Sequence, residues 1–215
     1  MAYGCVGLAS ERMGPSATSH REVECKWRIS ASDHAATRAF FRSLAGQEEG
    51  LAQSNRFYDS EAGSLRREKM SLRLRLENTR LLLTCKRRVA ARQGALHQQH
   101  EEECWLNSCL WTLLNDAPVI AHGTLPLPPQ ARAALGQQPL INMGGFENQR
   151  YQWRLGGDVL CLDCTDFPGG HRDYEIEIEL GAERDQDWWQ NTLRQAGIAI
   201  RPQPDTKLHR YLRLR

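Results

Sequence analysis

Several stretches of this chain alternate charged and apolar side chains with a period of two. Successive residues of a β-strand point to opposite faces, so such alternation gives each strand one charged and one apolar face. In 68–77 one face carries Lys69, Ser71, Arg73, Arg75 and Glu77, and the other Met70, Leu72, Leu74 and Leu76. In 173–180 Asp173, Glu175, Glu177 and Glu179 stand opposite Tyr174, Ile176, Ile178 and Leu180. In 22–29 Glu22, Glu24, Lys26 and Arg28 oppose Val23, Cys25, Trp27 and Ile29. The 80–88 segment groups Arg80, Thr84, Lys86 and Arg88, and 99–107 groups Glu101 and Glu103.

A half-solvated antiparallel sheet explains any one of these strands. It explains the set less well. Like charges stacked at alternate positions in EIEIE repel one another unless cations sit between them. Other strands are dominated by Arg and Lys. A sheet closed into a barrel, with its apolar faces outward beneath helices, lets acids and bases face one another across a shared lumen. Buried charges cost several kcal/mol each unless paired or bound to ions, so such a lumen implies a highly charged ligand. Carboxylates without His or Cys are hard oxygen donors that suit Mg²⁺ or Mn²⁺, and Arg and Lys suit phosphate.

The 215 residues suffice for one sizeable domain. Strands are expected at 21–30, 55–60, 68–77, 80–88, 99–107, 146–155, 158–167 and 173–180, and helices at 32–45, 108–116, 127–136, 182–196 and 206–213. Asp33, Pro128 and Ala182 mark helix starts, and Gly46, Gly136 and Gly197 mark ends. Eight strands with interposed helices make an antiparallel α+β domain over 21–215. Residues 1–20 lack periodicity and read as a disordered tail.

A net charge of +2 gives no reason to expect nucleic-acid or membrane binding. No apolar run approaches the roughly 20 residues of a membrane span. The N-terminus carries no apolar signal core, so a cytoplasmic location is expected. The seven Cys are read as reduced thiols; Cys161-x-x-Cys164 has no second pair to complete a zinc site. His20, His97, His100 and His171 are read as solvated, and Trp188 and Trp189 as packing outside the barrel. P-loop, dinucleotide-binding and nucleophile-elbow motifs are missing. Nothing decides between a monomer and a homodimer.

One ordered series of motifs adds to this reading. Glu22-Val23-Glu24-Cys25-Lys26 matches E-x-E-x-K, followed by FYD at 57–59, RLR at 73–75 and Lys86. Then come Glu101-x-Glu103, Arg150, Asp163, EIEIE at 175–179 and TK at 206–207. The series resembles the CYTH domains, or triphosphate tunnel metalloenzymes, over residues 21–213. GGFENQRYQW at 144–153 is similar to the plant-type inorganic tripolyphosphatase branch. The resemblance implies an eight-stranded antiparallel tunnel acting on triphosphates with Mg²⁺ or Mn²⁺.

Carried over by position, it implies metal ligands at Glu22, Glu24 and Glu179, joined by Glu177 and, near a second metal, Asp163. It implies a phosphate cradle of Lys26, Arg73, Arg75, Lys86, Arg150 and Lys207, with Arg88 and Arg210 also inward and Glu101 and Glu103 orienting it. Glu22, Glu24, Lys26 and Glu177 form the catalytic set, with Glu177 or a second metal activating water. Gln99 departs from the pattern, standing where many relatives have a base that Arg88 would replace. The expected reaction is tripolyphosphate hydrolysis to pyrophosphate and phosphate. Rivals are hydrolysis of nucleoside or thiamine triphosphate, adenylyl cyclisation, or polyphosphate binding without turnover. Ser16 and Ala17 lack the cyclase branch's H-F, and Ser71 stands where the thiamine branch has Trp.

Overall fold

The computed structural model describes residues 17–89 and 94–215. Its elements run β1 (Ala17–Ile29), α1 (Ala31–Ala45), β2 (Glu49–Asp59), α2 (Ser64–Arg67), β3 (Met70–Glu77), β4 (Arg80–Arg88), β5 (Leu96–Leu106) and α3 (Cys109–Leu114). They continue β6 (Val119–Ile120), α4 (Pro129–Leu135), β7 (Leu140–Leu155), β8 (Asp158–Asp166), β9 (Arg172–Glu179), α5 (Gln186–Gln195), β10 (Arg201–Pro202) and α6 (Lys207–Arg213). The long strands pair in the order β1-β5-β4-β3-β2-β7-β8-β9, and β9 pairs back onto β1. Every pairing is antiparallel, and the eight strands close a barrel with no free edge.

The apolar faces point outward, as the alternation requires. Leu72, Leu74, Leu81, Leu83 and Cys85 pack beneath Leu65 of α2, Leu114 of α3, and Ala131 and Leu135 of α4. On the opposite wall Cys25, Trp27, Trp153, Leu160, Leu162, Ile176 and Ile178 pack with Phe41 of α1 and Trp189 and Leu193 of α5. Each such side chain contributes roughly 1.5–3 kcal/mol through burial. The apolar stabilisation therefore lies in a sleeve around the barrel, which leaves the lumen to polar groups. No helix among the described residues is long and apolar enough to cross a membrane.

The structure moves several expected boundaries. Residues 17–20 already belong to β1 and pair with β5, so the tail limit drawn at residue 20 falls inside a strand; residues 1–16 lie outside the described residues. β2 begins at Glu49 rather than 55, because its inward residues Gln53 and Asn55 are polar and neutral and mask the alternation. β7 begins at Leu140 rather than 146. Gly144-Gly145 reads as a turn, yet it lets β7 approach β2 closely: a Cβ on Gly145 would lie 1.7 Å from the Asn55 carbonyl oxygen. α1 is capped by Ser30, whose hydroxyl accepts from the Asp33 N–H at 3.1 Å, and α5 is capped by Asp185 rather than starting at Ala182.

Trp189 is buried against the barrel, whereas Trp188 is 42% exposed and meets only the edge of its neighbour among the rings. His97 is buried rather than solvated, with Nε2 2.9 Å from the carbonyl of Gln203 in the segment leading to α6. Cys161 and Cys164 point to opposite faces of β8, so they cannot share one ion.

Candidate active site

The charged faces of β1, β3, β4, β5, β7 and β9 line one cavity of about 570 Å³, with α6 contributing Lys207. On the β1–β4–β5 side, the Lys86 ammonium donates to Glu22 at 2.9 Å and pairs with Glu101 at 3.0 Å. The Gln99 amide bridges two acids, donating to Glu22 at 2.6 Å and to Glu24 at 2.8 Å. The sequence departure at Gln99 thus faces carboxylates. Glu103 receives the Thr84 hydroxyl at 3.2 Å, and Thr84 in turn receives Arg73. The Nε of Arg73 is buried with no acceptor. Arg75 donates to the Asn55 side chain at 3.0 Å, and burial with Arg73 and Arg150 nearby pulls its guanidinium down to about 9. Arg88 lines the same space.

On the β7–β8–β9 side, Arg150 grips Asp163 with Nε at 2.8 Å and Nη2 at 2.7 Å, and reaches Glu177 as well. Lys26 bridges Glu177 at 2.7 Å and Glu24 at 2.9 Å. From α6, Lys207 bonds Asp163 at 2.8 Å and Glu175 and Glu177 at 2.7 Å each. Arg210 pairs with Asp173 at 2.8 Å and Glu175 at 2.7 Å, so it fastens α6 to β9 outside the cavity lining. Thr206 caps α6 by accepting from the His209 N–H, which fixes the start of the helix beside the acids.

The five expected metal ligands therefore separate. Carboxylate oxygens of Asp163, Glu175 and Glu177 lie within 4.8 Å of one another and could hold a metal ion. Basic side chains already neutralise that group. Against the effect of burial, Arg150 and Lys207 hold Asp163 well below the usual carboxylate range, and Lys207, Lys26 and Arg150 do the same for Glu177. Glu22, Glu24 and Glu179 are a different environment. Burial and the Glu22 carboxylate push Glu24 up to about 7, and the same two causes raise Glu179. Burial opposes the Glu22 charge, but Lys86, the Glu101 hydrogen bond and Lys26 together keep it ionised. Glu24 and Glu179 are register partners across β1 and β9, and a divalent ion beside them would reverse the penalty on both, although the trio whose oxygens lie within 4.8 Å of one another among the described residues is Asp163, Glu175 and Glu177. Burial, outweighing Lys86, also raises Glu101 well above its ordinary value.

Glu175 was missed as a site residue although it shares the EIEIE face with Glu177 and Glu179. Asn55, Asn148 and Thr165 were missed too. Asn148 donates to Asp163 at 3.0 Å and accepts from Thr165 at 2.7 Å. Their signal was the same period of two, as in Phe146, Asn148, Arg150 and Gln152, but neutral side chains do not announce it.

No curated protein matches the chain. The structure of HpAC1 from Hippeastrum, a candidate adenylyl cyclase revealing a dominant triphosphatase activity, is similar with TM-score 0.78 and 25% identity, over 90% of this chain and 96% of that one. Two others share the fold. A candidate adenylate cyclase from Bacillus halodurans has TM-score 0.68 and 21% identity, over 90% of this chain and 98% of that one. The PH1012 protein from Pyrococcus horikoshii OT3 has TM-score 0.57 and 14% identity, over 87% and 98%. A model of the CYTH domain matches residues 20–212, from within β1 to α6, and the chain belongs to the CYTH domain family.

Proposed function

We propose that this protein hydrolyses inorganic tripolyphosphate to pyrophosphate and phosphate inside its barrel, with Mg²⁺ or Mn²⁺ held by Glu22, Glu24 and Glu179. One observation carries the choice of an inorganic chain. The aromatic side chains lining the cavity offer no open face: Phe57 and Phe146 are buried against each other at 5.5 Å, and Tyr58 is buried with its hydroxyl on the Leu114 carbonyl. A base or a thiazolium ring would find no open Phe, Tyr or Trp face to stack on, whereas phosphate meets guanidinium and ammonium groups on every side. The triphosphatase activity of the Hippeastrum protein supports a phosphoanhydride hydrolase.

When bound, the cation supplies charge for the phosphate oxygens and lowers the pKa of a coordinated water. Lys26, Arg73, Arg75, Lys86, Arg150 and Lys207 orient the chain and offset charge on the transferring group and the leaving pyrophosphate. Glu177, ionised and bonded to Lys26, Arg150 and Lys207, positions those cations instead of taking a proton. Glu101 lines the cavity and, paired with the Lys86 ammonium at 3.0 Å, orients that cation towards the phosphate chain.

Phosphate release from tripolyphosphate, ATP and thiamine triphosphate, each with and without Mg²⁺ or Mn²⁺, tests this reading. Tripolyphosphate is expected to be the preferred substrate, and only with metal. Glu22→Gln and Glu24→Gln should abolish the metal-dependent release while circular dichroism stays unchanged. Wild-type rates in either variant, or a clear preference for an organic triphosphate, would sink the proposal.

A further inference from the structure

At the end of the barrel where β2 stops, β3 starts and β4 stops, three cationic side chains line the cavity without a carboxylate partner among the described residues: Arg66, Lys69 and Arg88. Backbone bonds gather them. The Lys69 N–H donates to the Arg66 carbonyl at 3.0 Å, and the Arg88 N–H donates to the Lys69 carbonyl at 3.1 Å. Lys69 adopts a left-handed conformation with φ 58°, which a non-glycine residue rarely accepts, and so breaks the strand before Met70. Gly63 leaves room for Arg66, whose guanidinium Nη2 lies 3.1 Å from where a Cβ would stand. The Asp59 carboxylate, which could have paired with Arg66, accepts from the backbone N–H groups of Ser60, Leu65 and Arg66.

The contrast with the inner site is sharp. Lys26, Lys86, Arg150 and Lys207 each rest on two or three carboxylates, whereas the three exposed rim cations make no ion pair among the described residues, even with Glu68 and Asp59 close to them in the chain. Mutual repulsion has no structural return there, and an anion would relieve it. The rim also prolongs the basic face of β3. From Arg75 through Arg73 to Met70, where β3 starts, is five residues, roughly 16 Å of strand at about 3.3 Å per residue, with Lys69 just beyond. Three corner-sharing phosphate tetrahedra are much shorter than that.

Resting on the proposed reading of the inner site, we infer that the Arg66–Lys69–Arg88 rim is a further phosphate-binding subsite, which holds the fourth and later units of a linear polyphosphate whose end lies in the barrel. A chain of four or more phosphates bridges both regions. Tripolyphosphate reaches the inner one alone.

Calorimetry on the full chain in EDTA, with pyrophosphate, tripolyphosphate and linear tetra- and hexapolyphosphate as probes, tests this. In the wild type, hexapolyphosphate should bind about tenfold tighter than tripolyphosphate, the return from two added charge-assisted contacts partly screened by water. The double variant Arg66→Gln, Lys69→Asn should bring that ratio to about one to twofold and leave tripolyphosphate affinity nearly unchanged; Asn is chosen because it tolerates the left-handed backbone. Raising the salt concentration on the wild type should erase the same advantage, a measurement that needs no variant. Equal affinities for three and six units in the wild type, or a ratio that survives both the substitutions and salt, would overturn the subsite. If tripolyphosphate is hydrolysed with metal but chain length makes no difference, the subsite alone fails. If no polyphosphate binds, the inner reading fails with it.

Discussion

Removing one charge at Asp163 tests whether the lumen is a coupled charge network. The side chain is fully buried and accepts four bonds, from Arg150 Nε at 2.8 Å and Nη2 at 2.7 Å, Lys207 Nζ at 2.8 Å and Asn148 Nδ2 at 3.0 Å. Asp163→Asn keeps the volume but turns one acceptor oxygen into an NH₂ that meets donors. It also leaves Arg150 and Lys207 short of counter-charge in a region already desolvated. Breaking a buried pair in this way costs about 3–5 kcal/mol. For a chain of this size about 1 kcal/mol shifts Tm by roughly 2–4 °C, so a fall of about 6–20 °C is expected. Thermal unfolding followed by far-UV circular dichroism measures it. Tripolyphosphate at a hundredfold excess over Kd stabilises the folded form by about 2.7 kcal/mol, and the variant should recover more than the wild type gains, because phosphate oxygens take over the two stranded cations. A variant melting within about 2 °C of the wild type would show that Arg150 and Lys207 do not depend on this carboxylate.

Two further outcomes follow from the scaffold. Glu48 accepts bidentate bonds from Arg38 at 3.0 and 2.6 Å and from Arg42 at 2.8 Å twice, which lowers its carboxyl from 4.5 to about 2. A depressed folded-state pKa means the stabilisation is complete above 4.5 and disappears as the pH falls towards 2. Arg42 is half exposed, so Glu48→Gln should cost about 1 kcal/mol at pH 7 in urea unfolding, and the gap should close near pH 2; a gap independent of pH would exclude an ionic origin. Gly145→Ala puts a Cβ 1.7 Å from the Asn55 carbonyl oxygen, part of a backbone that cannot yield, whereas a Cβ on Gly50 meets nothing within 4 Å. Gly145→Ala is therefore expected to lose more than about 4 kcal/mol of stability while Gly50→Ala behaves almost as wild type; similar unfolding midpoints for the two would refute the close approach of β2 and β7.

Much of this protein was legible as a period of two. In β1, β3 and β9 the alternation of Glu or Arg with Leu, Ile or Val told which face was charged, and closure followed because charges in that number must face something that pairs with them. What failed in the reading failed for local reasons. Gln53 and Asn55 carry no charge, so the first half of β2 did not stand out; Gly144-Gly145 looked like a turn because a glycine pair is one signal for two different needs; His97 looked solvated because the segment that buries it lies more than a hundred residues away.

The sequence alone determined the strand faces, since side-chain direction along a strand is a local property of the backbone, and with them the chemistry of the lumen. Only the tertiary structure decided which acid meets which base. Lys207 reaches Asp163, Glu175 and Glu177 because α6 packs against β7 and Phe167 at the barrel end, and Lys26 joins Glu24 to Glu177 because β9 pairs back onto β1. Those partners divide the carboxylates into a pair, Asp163 and Glu177, kept ionised by neighbouring ammonium and guanidinium groups, and a set that includes Glu24, Glu175 and Glu179, whose charge burial holds back. Electrostatic interaction depends on distance and burial across the closed barrel, and neither is written in any one strand.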